Sequence, residues 1–222
     1  MPTVLITGGG TGLGKELALL YAKNQYNVVI TGRDTTKLAA AKEELLHFTE
    51  NVHSVKMDVK NLASIKQAIS EVISKTPIDV LVNNAGVGYF GPFSDLSEHD
   101  INEMIDTNVK GTIFTCQELI PHLLTRPEAT IMNIISTAGL RGKVNESVYV
   151  ASKFAMRGFT ESLQKEYEGS SLHISGAYMG GMSTPFWDET DHIKDRSRLK
   201  DPAIVAEEIY NRQQELEIVI ES

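Results

Sequence analysis

A tyrosine and a lysine stand four residues apart in "YVASK", at Tyr149 and Lys153. On a helix, positions i and i+4 share a face, so a phenol and an ammonium at this spacing can reach one point in space. A free tyrosine, titrating near ~10, is poorly matched to acid/base work around neutrality. A lysine held ~5 Å away at an effective dielectric of ~20 would favour the phenolate by about 3 kcal/mol. The expectation is therefore that Lys153 lowers the Tyr149 pKa toward neutrality, making it a group that can pass a proton to or from an oxygen. The same spacing also occurs on solvated helix faces, so the surrounding elements must decide between the two readings.

The second stretch with chemical content is "TGGGTGLGK", Thr7 to Lys15. It follows directly on an apolar run, and its principal glycines fall as Gly8-x-x-x-Gly12-x-Gly14. Glycines there let the chain turn tightly off a strand, approach a pyrophosphate and pack the next helix close to the sheet. The start of that helix would present unpaired N–H groups and the positive end of its dipole to phosphates. A flexible turn is the plainer alternative; five glycines within Gly8–Gly14, directly after a strand, favour a nucleotide loop.

The end of the second apolar run, "VVITGRDTTKL", bears on which nucleotide. An acid here would bind the ribose 2′-hydroxyl of NAD, whereas a cation suits the 2′-phosphate of NADP. The chain has Gly32 at the acid's place, followed by Arg33, whose guanidinium can clasp a phosphate and stack on a ring. Asp34 reads either as the ribose acid displaced by one step or as the cap of the next helix, with the cap the better reading. NADP(H) is thus expected over NAD(H).

Apolar runs at 3–7, 27–31, 52–58, 78–82, 130–136 and 172–178 read as strands, several of them unbroken and so suited to burial on both faces. Between them lie stretches of helical period. Asp34 and Asn61 are placed as N-caps for two of these, and Ser97 with Asp100 resembles a capping box opening a long helix. Strands alternating with helices give an α/β, doubly wound parallel β-sheet with helices on both faces. Residues 202–222 read as a helix from near Pro202 and a short closing strand. Residues 183–200 break the alternation and read as a flap over a site rather than a disordered loop. No repeat or linker divides residues 1–222, so one domain is expected.

The net charge of −8 argues against a nucleic-acid partner. No apolar run reaches the length of a membrane span, and the N-terminus lacks a basic region and cleavage site. One cysteine, Cys116, allows no internal disulfide, and a cytoplasmic setting is the simplest. The six histidines are scattered without ligand spacing, so no metal site is expected.

Taken in order, "TGGGTGLG", "MDV" at 57–59, "NNAG" at 83–86, "TNVKG" at 107–111, "IISTAG" at 134–139 and "YVASK" resemble the motifs of the short-chain dehydrogenase/reductase family, from Thr7 to about Thr184. Ser136 stands thirteen residues before Tyr149, the family's usual spacing. The resemblance implies a single-domain Rossmann-like fold and a catalytic tetrad of Asn108, Ser136, Tyr149 and Lys153. It implies cofactor contacts from Gly8, Gly10, Thr11, Gly12, Leu13 and Gly14, from Arg33, from Asp58 (to the adenine) and Val59, and from the turn Asn84, Ala85 and Gly86. Tyr149, Lys153 (to the nicotinamide ribose), Met182 and Thr184 complete that set. It also implies that Ser136 bonds the substrate oxygen and that Asn108 holds a water linking the lysine to solvent. One departure is "YMGGM", which has Met179 where the family usually has proline; Met179 cannot fix φ, so a looser loop is expected there.

The activity implied is carbonyl reductase-like: reversible hydride transfer between NADP(H) and a small carbonyl or alcohol substrate. An NADP(H)-binding redox sensor or scaffold is the alternative. Reductases of carbon–carbon double bonds in related families space the two residues more widely, which argues against that chemistry. The expected pocket walls are 88–96, 140–147 and 184–199, with Tyr89, Phe90, Phe93, Phe186 and Trp187 for apolar contact. Arg141 and Lys143 are either anion-attracting or merely solvated. A homodimer or homotetramer is implied by family analogy alone.

Overall fold

Val4, Leu5 and Ile6 form the middle of β1 (Thr3–Thr7), and none is more than 1% exposed. Both faces of the strand are covered, as its unbroken apolar run requires. The structure is a computed structural model that describes residues 1–188 and 190–220. Glu189, inside the expected flap, and Glu221 and Ser222, at the expected closing strand, lie outside the described residues.

Six further strands follow: β2 (Asn27–Gly32), β3 (Val52–Lys56), β4 (Val80–Asn83), β5 (Ala129–Ile134), β6 (Leu172–Met179) and β7 (Glu217–Ile220). They form one sheet in the order β3-β2-β1-β4-β5-β6-β7, with every pair parallel. On one face, α1 (Gly12–Lys23), α2 (Thr35–Leu45) and α7 (Pro202–Asn211) bury Leu17, Leu38 and Val205 with Val4 and Ile6 of the sheet. On the other, α3 (Leu62–Ile73), α5 (Thr112–Leu123) and α6 (Ser147–Glu166) bury Ile65, Leu119 and Leu163 with Leu5, Leu81 and Ile131. The chain winds outward from β1 to β3, returns to β4 beside β1, and winds the other way. Such a reversal opens a crevice at the carboxyl ends of the central strands.

The helix starts follow local chemistry. Asp34 caps α2 by accepting from Thr36 N and Lys37 N at 2.9 and 3.1 Å, and Asn61 caps α3 by accepting from Ser64 N at 3.1 Å. Ser97 and Asp100 make the reciprocal bonds of a capping box at α4 (Glu98–Met104).

Several boundaries depart from expectation. β3 ends at Lys56 because Asp58 N leaves the ladder to bond Ser64 Oγ at 3.0 Å. β4 begins at Val80, since Ile78 N is taken by His122 Nε2 at 3.0 Å. The long helix after Ser97 is interrupted: Ile105–Gly111 widens to i→i+5 bonding between α4 and α5. No helix among the described residues is long and apolar enough to cross a membrane.

Candidate active site

The crevice at the strand ends has a volume of about 510 Å³, the size of a small-molecule or cofactor site. Its floor is the turn from β1 into α1. Gly8 and Gly12 adopt φ of +66° and +54°, conformations that side chains disfavour. Gly14 has a different job: a Cβ there would fall 2.4 Å from both Gly8 O and Asn84 Nδ2, so its absence lets α1 sit against the turn. Thr11 precedes α1 without capping it through its side chain, and the first turn holds no acid. The orphan N–H groups there favour an anion.

The neighbouring turn is tied to this one. Asn84 Nδ2 donates to Thr7 O and Gly8 O at 3.0 and 3.2 Å, while Asn84 N and Ala85 N both donate to Thr7 Oγ1 at 3.0 Å. Two loops from strands 77 residues apart thus act as one surface.

At one end of the crevice lie Gly32, Arg33, Asp34 and Lys37, with Asp58 and Val59 beside them. Arg33 is exposed, and the Asp34 carboxylate is committed to its cap. Lys37, one turn into α2, adds a second cation.

At the other end, Tyr149 and Lys153 share one face of α6, and both are buried. Lys153 Nζ lies 5.6 Å from the centre of the Tyr149 ring and donates to Ile134 O at 3.2 Å. Burial pushes the Tyr149 phenol up; its hydrogen bond with Ser136 pulls it down, and the Glu146 carboxylate raises it further. Burial lowers Lys153 to about 8. The expectation that Lys153 would bring Tyr149 toward neutrality is corrected here: desolvation dominates, and the ammonium faces the ring.

Ser136 sits just past β5, which ends at Ile134, two residues short of expectation. Its φ is +118°, an uncommon value for a residue with a side chain. Such a conformation costs on the order of 1–3 kcal/mol, and strain of this kind concentrates at functional positions. Its hydroxyl also accepts from Ala138 N at 3.2 Å.

Asn108 lies behind the crevice wall, 2% exposed, in the widened helical segment. Its Oδ1 accepts from Val87 N at 2.9 Å, and its Nδ2 donates to Val87 O at 2.9 Å and Ser152 Oγ at 3.0 Å. The side chain is thus engaged in fastening α6 and the 84–87 turn together. Gly14 also lies outside the crevice lining. The other expected residues, Gly8, Gly10, Thr11, Gly12, Leu13, Arg33, Asp58, Val59, Asn84, Ala85, Gly86, Ser136, Tyr149, Lys153, Met182 and Thr184, all line it.

The loop after β6 crosses the opening. Met179, at the departure from the family pattern, is 3% exposed and is the last residue of β6. The loop is tied by a bridge between Met182 and Lys200, with Ser183 N donating to Lys200 O at 2.9 Å. Thr184 rests against the glycine turn, 3.2 Å from where a Cβ on Gly12 would stand. Among the expected aromatics, Phe186 and Trp187 line the crevice, Phe90 backs them and Phe93 is exposed. Lys143 lines the crevice and Arg141 does not. Glu146 and Ile193 also line the crevice and fall within the expected walls 140–147 and 184–199, whereas Lys37 lies outside every expected segment. Lys37 carried a readable signal, a basic residue four past Arg33.

Comparison with known proteins agrees with this geometry. The family model described as short chain dehydrogenase matches residues 2–195. The chain is 36% identical over 174 residues to the NADP-dependent 3-hydroxy acid dehydrogenase YdfG of Salmonella typhi, covering 78% of this chain and 69% of that protein. Among solved structures, ElxO with NADP bound superposes with a TM-score of 0.90 at 28% identity, covering 99% of this chain and 97% of that one. A 3-ketoacyl-(acyl-carrier-protein) reductase from Brucella melitensis complexed with NADH gives 0.91 at 25% identity, covering 99% and 96%. A parallel sheet with its crevice at the strand ends is a Rossmann-like architecture, whose ligands bind at that crevice. The chain belongs to the short-chain dehydrogenase family.

The crevice fits a nicotinamide dinucleotide on its own evidence. Left-handed glycines and uncapped amides make an anion cradle at its floor. Exposed cations mark one end, and a buried phenol, hydroxyl and ammonium mark the other.

Proposed function

We propose that the protein interconverts a carbonyl compound and an alcohol with NADP(H) as the hydride carrier. The observation that carries this reading is the convergence of Tyr149, Lys153 and Ser136 on one wall of the crevice whose floor is the glycine turn. When bound, the dinucleotide supplies or accepts the hydride. Tyr149 gives its proton to the substrate oxygen during reduction and takes it back during oxidation. Burial keeps the phenol protonated, which suits a proton donor. The Lys153 charge lowers the cost of the phenolate left behind. Ser136, already bonded to Tyr149, orients the same substrate oxygen, and Asn108 acts from behind by fixing α6 through Ser152.

Arg33 and Lys37 support the NADP(H) preference, since both are cations where a 2′-phosphate would lie and the nearby acid is engaged as a cap. Asp58 and Val59 serve the adenine end, and Met182 and Thr184 serve the nicotinamide end. Segment 183–200 serves as the flap over them.

The test follows NADPH absorbance with purified protein against ketones, aldehydes, quinones and diketones. Oxidation by at least one class is expected. Tight NADPH binding with no oxidation by any of them would replace this reading with an NADP-binding sensor.

A further inference from the structure

Glu146 takes no part in the proton transfer, yet its carboxylate is buried. The residue is 7% exposed, stands one turn before Tyr149 at the entry of α6, and lines the crevice. A buried carboxylate needs partners. Here they come from two segments: His192 Nε2 lies 3.0 Å from Oε1, and Lys143 Nζ lies 4.0 Å from Oε2. His192 lies 46 residues further along the chain and forms one layer of an aromatic stack. Its ring centre is 4.7 Å from that of Phe90 at 17°, and Phe90 is 5.2 Å from Trp187 at 25°. Phe90 in turn meets Tyr149 edge-on at 5.3 Å. Gly88 makes room for this, because a Cβ there would fall 2.4 Å from Phe90 Cζ and 2.7 Å from Phe186 Cζ.

We propose that Glu146 is a positioning residue that, through His192, seats the Phe90–Trp187–His192 stack beside Tyr149, and that the site so walled takes carbonyl substrates with a flat, uncharged substituent. The substrate half rests on the oxidoreductase reading; the seating of the stack does not. Phe186 and Trp187 line the crevice, which suits a flat unsaturated group. The charged groups lining the site are already engaged, Glu146 with Lys143 and His192 and Lys153 with Ile134 O, so a charged substituent of either sign would be desolvated without a free partner. An uncharged group avoids that penalty.

Trp187 is the only tryptophan in the chain and reports on the stack directly. Acrylamide quenching of its fluorescence is compared in the wild type, Glu146→Ala, Glu146→Gln, His192→Ala and the Ala/Ala double variant. Loss of seating should raise the quenching constant roughly twofold or more in either alanine variant, as expected for local opening without global unfolding. The double variant should go no further, and Glu146→Gln, which can still bond His192, should stay near wild type. An acid at a helix start also favours the dipole; an effect of that kind would shift the unfolding transition and leave quenching alone. Unchanged quenching in both alanine variants overturns the seating. His192→Ala, on the partly exposed segment, carries the test should Glu146→Ala not fold.

For the substrate half, an aryl ketone is compared with its carboxylate-bearing analogue of similar size. The uncharged compound should have kcat/KM higher by roughly tenfold or more, and Glu146→Ala should raise its KM with NADPH affinity held within about twofold. Equal or reversed preference overturns the substrate class. Absence of turnover with every carbonyl would remove the substrate half together with the proposed function, while the quenching result stands or falls separately.

Discussion

The Lys153 ammonium stands 5.6 Å from the centre of the Tyr149 ring, one helical turn along α6, with both side chains buried. Burial acts on the two groups in opposite senses. It holds the phenol in its protonated form and lowers the ammonium to about 8. Each is driven toward its neutral state. The pair is therefore a proton donor with a weakened cation beside it.

That arrangement predicts a pH limit. Lys153 is charged below about pH 8 and loses its proton as pH rises through that value. Activity that depends on its charge should be full below pH 8 and decline above it. Stability should run the other way. The unfolded chain holds this proton up to the ordinary value of 10.5, so between about 8 and 10.5 it binds more protons than the folded chain. This group's contribution to stability therefore rises across that window. Profiles of kcat/KM and of Tm against pH check both signs, and a rate that is flat through pH 8 would contradict the assignment.

Arg33 and Asp34 are adjacent yet should separate in experiment. Arg33→Ala should raise KM for NADPH roughly tenfold or more, the loss of about 1.4 kcal/mol or more, and leave KM for NADH nearly unchanged. Asp34→Ala should lower stability by about 1 kcal/mol through the lost cap, with the cofactor preference intact. Steady-state kinetics with both cofactors, set beside denaturant melts, reads the two effects independently.

Gly10 in the turn and Gly14 in the first turn of α1 offer a contrast. A Cβ at Gly14 would stand 2.4 Å from backbone Gly8 O, whereas at Gly10 the nearest atom is 3.4 Å away. Gly14→Ala should destabilise by about 1–3 kcal/mol, the usual cost of overpacking, and Gly10→Ala by well under that. Urea midpoints at constant m-value measure the difference.

Much of the scaffold is legible in the sequence because its signals are local. Unbroken apolar runs such as Val4–Ile6 mark buried strands, and Asp34, Asn61 and the Ser97–Asp100 pair mark helix starts within one turn of themselves. The glycine turn and the Tyr149–Lys153 spacing are equally readable. Contacts made only in the third dimension escape such reading. An apolar period of 3.6 residues does not reveal that Ile105–Gly111 widens to i→i+5 bonding. Nor does it reveal that Ser136 is held at φ +118° or that Glu146 meets His192 across 46 residues. The direction of the Tyr149 pKa shift escapes it for the same reason: spacing fixes the neighbour, but burial depends on the loops that pack over the ring.

The most direct measurement is Tyr149→Phe, which removes one oxygen from a buried ring and preserves its packing. NADPH affinity, read by fluorescence titration, should stay within about threefold of wild type while turnover of any accepted carbonyl falls by roughly 10²–10⁴, the usual worth of a positioned proton donor. Turnover that survives the substitution at wild-type rate would contradict the assignment of Tyr149 as the group that moves the proton.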